Sequence, residues 1–185
     1  MEKLYYLVDI DRCWGCKSCQ TACITEHGYE PKSGWPIEVF RIENTSEKGE
    51  AACDFVPVLC QHCDSPACLA VCGPGAIAKK EDGFVSVDEA ACIGCGKCVK
   101  ACVYGAILPR QREDGKRTVM KCDLCPDRRA RGFMPSCGQH CIGGVFQLCA
   151  ESDKARMLSA YRYNWSTGQV VYVSNILSEI GTALS

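Results

Sequence analysis

Cys13-Trp14-Gly15-Cys16-Lys17-Ser18-Cys19-Gln20-Thr21-Ala22-Cys23 places four cysteines with two, two and three residues between them, and Cys92-Ile93-Gly94-Cys95-Gly96-Lys97-Cys98-Val99-Lys100-Ala101-Cys102 repeats that spacing. Two looser copies complete the pattern. Cys60, Cys63, Cys68 and Cys72 widen the middle gap to four residues, and Cys122, Cys125, Cys137 and Cys141 widen it to eleven. These groups account for 16 of the 18 cysteines, leaving Cys53 and Cys149. Each of the last three groups runs on into a related stretch: Gly73-Pro74-Gly75-Ala76-Ile77, Val103-Tyr104-Gly105-Ala106-Ile107 and Ile142-Gly143-Gly144-Val145-Phe146. Recurrence of this kind is internal duplication, and it sets the architecture.

The spacing carries a specific chemistry. In a bacterial-ferredoxin run, short loops let three thiolates reach three corners of one iron-sulfur cubane, while the fourth cysteine reaches a neighbouring cluster. An insertion before the last pair only lengthens a loop outside the cluster. Small residues such as Gly94 and Gly96 suit a backbone that must approach sulfide closely. Zinc sites use four ligands, commonly as two separated pairs, which fits four cysteines packed into eleven residues poorly. A disulfide framework needs an oxidising compartment, for which Met1 to Ile10, with an acid and only a short apolar run, supplies no signal-peptide layout. The reading is four 4Fe-4S clusters.

Composition excludes other classes. A chain of 185 residues, 47% hydrophobic and 23% charged, has globular proportions and room for one domain or two small, closely joined ones. A formal charge of -1 gives no basis for nucleic-acid binding. No run of about eighteen apolar residues predicts a membrane span. Four clusters, each carrying about two negative charges with its thiolates, make the holoprotein strongly acidic. Lys17, Lys97, Lys100 and Lys121 stand beside cluster cysteines to offset that charge, and Arg128, Arg129 and Arg131 either do the same, form a solvated loop or face a partner. Cys53 and Cys149 read as buried free thiols. His62 and His140 read as structural histidines, His27 has no assigned role, and Trp14 reads as a shield over the first cysteine loop.

The expected fold is α+β and loop-rich. Strands are expected at Leu4 to Ile10, Ile37 to Ile42, Phe84 to Val87 and Gln169 to Val173, and short helices at Cys19 to Glu26 and Cys98 to Tyr104. Asn44 to Glu50 reads as a surface loop, and Ser152 as the cap of a helix reaching Tyr161. The chain after Cys149 reads as packing or docking surface. No nucleophile, general base or substrate pocket is visible, so the chain reads as a non-catalytic subunit.

Asp11-Arg12-Cys13 through Cys23, Cys60-Gln61-His62-Cys63-Asp64-Ser65-Pro66-Ala67-Cys68 and Lys121-Cys122-Asp123-Leu124-Cys125 together resemble the iron-sulfur subunit of the dimethyl sulfoxide reductase family of molybdenum or tungsten bis-pterin enzymes. The resemblance implies two intertwined bacterial-ferredoxin-like domains with a pseudo-two-fold repeat: residues 1–55 with 113–185 form an outer domain, and 56–112 are inserted. It also implies nested pairing of the motifs, which spacing leaves open against tandem pairing. One cluster then uses Cys13, Cys16, Cys19 and Cys141, and a second Cys23, Cys122, Cys125 and Cys137. A third uses Cys60, Cys63, Cys68 and Cys102, and a fourth Cys72, Cys92, Cys95 and Cys98. The implied partner is a large catalytic subunit with the bis-pterin metal, nearest the first cluster. A membrane anchor or soluble electron donor is the further partner. The compartment is cytoplasmic, or periplasmic by co-export with a signal-bearing partner. Met134 to Cys141 and Val171 to Asn175 are similar to small subunits of transhydroxylase or catechol-dehydroxylase type. Related four-cluster subunits serve hydrogenases and tungsten aldehyde oxidoreductases, and a freestanding polyferredoxin shares the motifs.

Overall fold

The protein is described by a computed structural model covering residues 2–45, 49 and 51–177. In order, it forms β1 (Leu4–Asp9), α1 (Ser18–His27), β2 (Ile37–Thr45), β3 (Ala51–Leu59), α2 (Ala67–Ala70), β4 (Ile77–Lys79), β5 (Val85–Val87) and α3 (Lys97–Ala101). There follow β6 (Ile107–Gln111), β7 (Arg117–Lys121), α4 (Pro126–Ala130), α5 (Ser136–Gln139), β8 (Phe146–Ala150), α6 (Glu151–Leu158), β9 (Tyr163–Ser166) and β10 (Val170–Ser174). Mixed short helices and strands are thus as expected. No described helix is long and apolar enough to cross a membrane.

The apolar run of β1 reflects burial on both faces. Tyr6 and Val8 join the main core with Val170 and Tyr172, while Tyr5 and Leu7 join a second cluster with Cys149, Val171 and Val173. Period-two alternation therefore sends successive residues into two different apolar layers. The sheet order is β8-β1-β10-β9, with β1 parallel to β10 and antiparallel to β8. Met157, Leu158 and Tyr161 cover the second layer. Among the described residues after Cys149, β10 is packing, buried at every position. Cys149 is a buried thiol in that layer, whereas Cys53 is exposed on the hairpin of β2 and β3, against expectation.

The duplication has a backbone basis. After the last cysteine of each later group, Gly75, Gly105 and Gly144 take left-handed φ of 70°, 59° and 63°. Two residues on, Ile77, Ile107 and Phe146 open β4, β6 and β8. Glycine reverses the chain at little cost there, so each group hands over to a strand in the same way.

Several expectations are corrected. β2 continues through Asn44 and Thr45, and most of the remaining Asn44 to Glu50 loop lies outside the described residues. The helix expected to reach Tyr104 ends at Ala101, and α6 ends at Leu158 rather than Tyr161. Ser152 is not its cap. Ala150 occupies that position without a side-chain bond, and the Ser152 N–H donates to the Glu2 carboxylate at 2.9 Å.

The C-terminal sheet meets the second cysteine group at Gly168, which bridges to Cys63. A Cβ at Gly168 would lie 2.4 Å from the His62 carbonyl oxygen and 2.6 Å from the Cys63 Cα. Gly168→Ala must push the two backbones apart, at a cost of roughly 1–3 kcal/mol. The visible absorbance of this variant is expected to bleach at a lower temperature than the parent's, and an unchanged bleaching curve would show that the junction yields freely.

Candidate metal centres

Three hollows are each lined by one set of four cysteines, drawn from two groups apiece. The loop entering α1 brings Cys13, Cys16 and Cys19 against Cys141, with Val39, Pro57 and Phe146 in the same wall. Cys92, Cys95 and Cys98 close against Cys72, with Ile77 and Val119. Cys60, Cys63 and Cys68 face Cys102, beneath Val85 and Ile107. The remaining four group through their electrostatics. Burial raises the Cys23 thiol, with the charges of Cys137 and Cys125 adding to it, and burial raises Cys122, with Cys137 and Cys23 adding.

The sets are also neighbours of one another. Burial pushes Cys19 up to about 12, with Cys137 the next contribution, and the charge of Cys60 reaches Cys122. Cys68 and Cys98 share one apolar cluster, with Cys72 and Cys102 packed against it. The order through space is therefore Cys19, Cys137, Cys122, Cys60, Cys68 and Cys98.

Local backbone geometry explains how the loops point their sulfurs inward. The residue before the second cysteine of every group is left-handed: Gly15 at 71°, His62 at 47°, Gly94 at 65° and Leu124 at 59°. Holding His62 and Leu124 in that region costs energy, and such strain persists where a site requires it. At Gly94 the glycine is also needed for space, because a Cβ would lie 2.5 Å from the Arg117 carbonyl oxygen.

The donor chemistry fits iron-sulfur clusters. Buried thiols pushed up to about 11 at Cys68 and Cys137 and about 12 at Cys19 and Cys125 resist ionising alone, with burial the leading cause at each. A metal at the site would reverse this by binding the thiolate, and soft sulfur donors select soft or iron-sulfur centres. Further donors surround the sulfurs. Ser136 N–H points at Cys125 Sγ at 3.5 Å and Val145 N–H at Cys141 Sγ at 3.4 Å. Tyr6 Oη lies 3.2 Å from Cys137 Sγ, and Ser18 Oγ lies 3.4 Å from Cys16 Sγ.

The other candidates divide. His62 is fully buried, accepts the Val85 N–H through Nδ1 at 2.8 Å, and meets Phe84 edge-on. Burial, then Lys121, holds its ring neutral. His140 Nδ1 donates to the Ser136 carbonyl at 2.9 Å, so both histidines are structural. His27, given no role from sequence, stands with Nε2 3.5 Å from Cys125 Sγ and 3.6 Å from Asp123. Nothing local signalled this, since the partners are 98 residues apart. Trp14 lines the first hollow but is 71% exposed, so it leaves much of its ring to solvent instead of sealing the site.

The cations differ in their surroundings. Lys121 is buried and donates to the carbonyls of Val85 and Cys122, whereas Lys17, Lys97 and Lys100 are exposed. Arg128 and Arg129 are committed to ion pairs with Glu26 and Asp82, and Arg131 Nε donates to the Asp127 carbonyl. Arg128 and Arg129 are thus structural, while Arg131 stays exposed.

A family model described as a 4Fe-4S dicluster domain matches residues 51–151. The B subunit of tetrathionate reductase from Archaeoglobus fulgidus is 41% identical over 129 residues, 69% of this chain and 57% of that protein. The B subunit of the anaerobic dimethyl sulfoxide reductase of Escherichia coli is 38% identical over 146 residues, 74% of this chain and 68% of that one. The nitrate-inducible formate dehydrogenase iron-sulfur subunit of Escherichia coli is 32% identical over 162 residues, 80% of this chain and 54% of that one. The chain spans little more than half the length of the tetrathionate reductase relatives it matches.

Proposed function

Because this protein belongs to the 4Fe-4S dicluster family that includes the small iron-sulfur components of tetrathionate and dimethyl sulfoxide reductases, we propose that it is the electron-transfer subunit of an oxidoreductase complex. The resemblance to the dimethyl sulfoxide reductase family rests on the same relatives. In this reading the subunit carries electrons through four 4Fe-4S clusters to or from a catalytic subunit with a molybdenum or tungsten bis-pterin cofactor. The observation that supports it is the lining of three hollows by four cysteines each, drawn from two groups apiece.

The ligand sets are Cys13, Cys16, Cys19 and Cys141; Cys23, Cys122, Cys125 and Cys137; Cys60, Cys63, Cys68 and Cys102; and Cys72, Cys92, Cys95 and Cys98. Two ferredoxin-like domains, residues 1–55 with 113–185 and residues 56–112, accord with the left-handed residue shared by the four groups. Each cluster, when bound, supplies a one-electron change of oxidation state. The protein's own residues hold the sulfurs and aim N–H and O–H donors at thiolates. Substrate chemistry belongs to the partner. The set of Cys13, Cys16, Cys19 and Cys141 faces that partner, supported by the exposure of Cys16, Trp14 and Ile142 beside it.

Metal analysis of the complex purified anaerobically tests this. About 16 iron atoms per chain, as four clusters of four, with near-stoichiometric molybdenum or tungsten is the expected result. The same iron with neither metal would overturn the pterin partner and move the assignment to a hydrogenase subunit or a free polyferredoxin.

A further inference from the structure

We propose that Tyr6 sets the reduction potential of the cluster at Cys23, Cys122, Cys125 and Cys137 by donating its buried hydroxyl hydrogen to the Cys137 thiolate. The proposal rests on the cluster assignment above. Tyr6 has no exposed surface, and its Oη lies 3.2 Å from Cys137 Sγ. A metal-bound thiolate has no hydrogen to give, so the hydroxyl must be the donor. The geometry is fixed from both sides. Strand β1 holds the backbone, and the ring stacks on Phe146 with centroids 5.4 Å apart and planes within 9°.

The sequence next to the ligand accommodates this hydroxyl. Gly138 follows Cys137, and a Cβ there would lie 2.7 Å from Tyr6 Oη. Any side chain at that position would drive the hydroxyl off the sulfur. A second polar group stands beside the same set. His27 Nε2 lies 3.5 Å from Cys125 Sγ and 3.6 Å from Asp123 Oδ1.

The physical effect follows from where reduction puts charge. An added electron makes the cluster and its thiolates more negative, and burial opposes that change. A hydrogen bond to sulfur stabilises the more negative state more strongly than the less negative one, and so raises the potential. Dry surroundings enlarge the effect. Tyr6 is a positioning residue in this sense: it touches a ligand sulfur and biases which oxidation state is held.

The test is a potentiometric titration, followed by electron paramagnetic resonance, of the holo-complex carrying Tyr6→Phe, which keeps the ring and its stack. One midpoint is expected to move to lower potential while the other three stay and iron content is unchanged. Gly138→Ala, which displaces the hydroxyl and leaves Tyr6 itself intact, is expected to move the same midpoint in the same direction. If Tyr6→Phe loses iron, the result with Gly138→Ala decides. Four unmoved midpoints at full iron content, or a shift spread over several clusters, would overturn the proposal. A parent complex with no titrating cluster would instead remove the functional reading on which it rests.

Discussion

Alanine at both Cys16 and Cys141 is expected to remove one cluster and leave three. The two residues are far apart in the chain, yet they line one hollow with Cys13 and Cys19. The packing of α1 on α5 holds them there, and Cys13, Cys137 and Cys141 all act on the Cys19 thiol. In the nested arrangement a double variant removes two ligands from one cluster. In a tandem arrangement, the first group would share clusters with the second and the third with the fourth, so the same two alanines would injure two clusters. Iron is therefore expected to fall by about 4 atoms from about 16, with one paramagnetic signal lost. A loss of about 8 iron atoms and two signals would sink the nested ligand sets. Because the set at Cys13 sits at one end of the spatial order, turnover driven by the natural electron donor is expected to collapse while the remaining clusters still reduce.

The reach of the sequence differs between short and long range, for a physical reason. Cysteine spacing constrains only local loop geometry, so the four groups and the glycines at their ends were legible. Which group shares with which was not legible from spacing, because loop-closure cost grows only slowly with length and cannot choose a partner. The apolar runs of β1 and β10 read as strands, yet their parallel pairing through Tyr6 and Val170 joins the two ends of the described chain. Ser152 misled because the partner of its N–H is Glu2, a tertiary carboxylate rather than a local cap. His27 and Tyr6 carried no signal for the same reason, since each meets its sulfur only after the chain has folded. Arg128 and Arg129 read as a charged run, and only the fold supplies Glu26 and Asp82 to pair them.

Arg129→Met is the substitution outside the cysteines expected to cost most. Arg129 Nη1 meets Asp82 Oδ2 at 2.9 Å, and its Nε donates to the Leu124 carbonyl at 2.8 Å. The guanidinium also lies 4.8 Å from the centre of the Phe84 ring. The two side chains are only 11% and 14% exposed, so solvent screens the pair little. The bridge ties α4 to the turn before β5, and that same turn accepts the Leu4 N–H through the Asp82 carbonyl. Removing one partner of a buried pair strands the other charge, at a cost of about 3–5 kcal/mol. For a chain of this size that lowers the bleaching temperature by about 6–20 °C. Asp82 Oδ1 accepts the Phe84 N–H, an acceptor that asparagine preserves. Adding Asp82→Asn to Arg129→Met removes the stranded charge and keeps that contact, so the double variant is expected to recover some of the loss. Equal bleaching temperatures for the parent and the single variant would show that the pair is solvated in the folded protein and that the junction is held by the strands and cysteines alone.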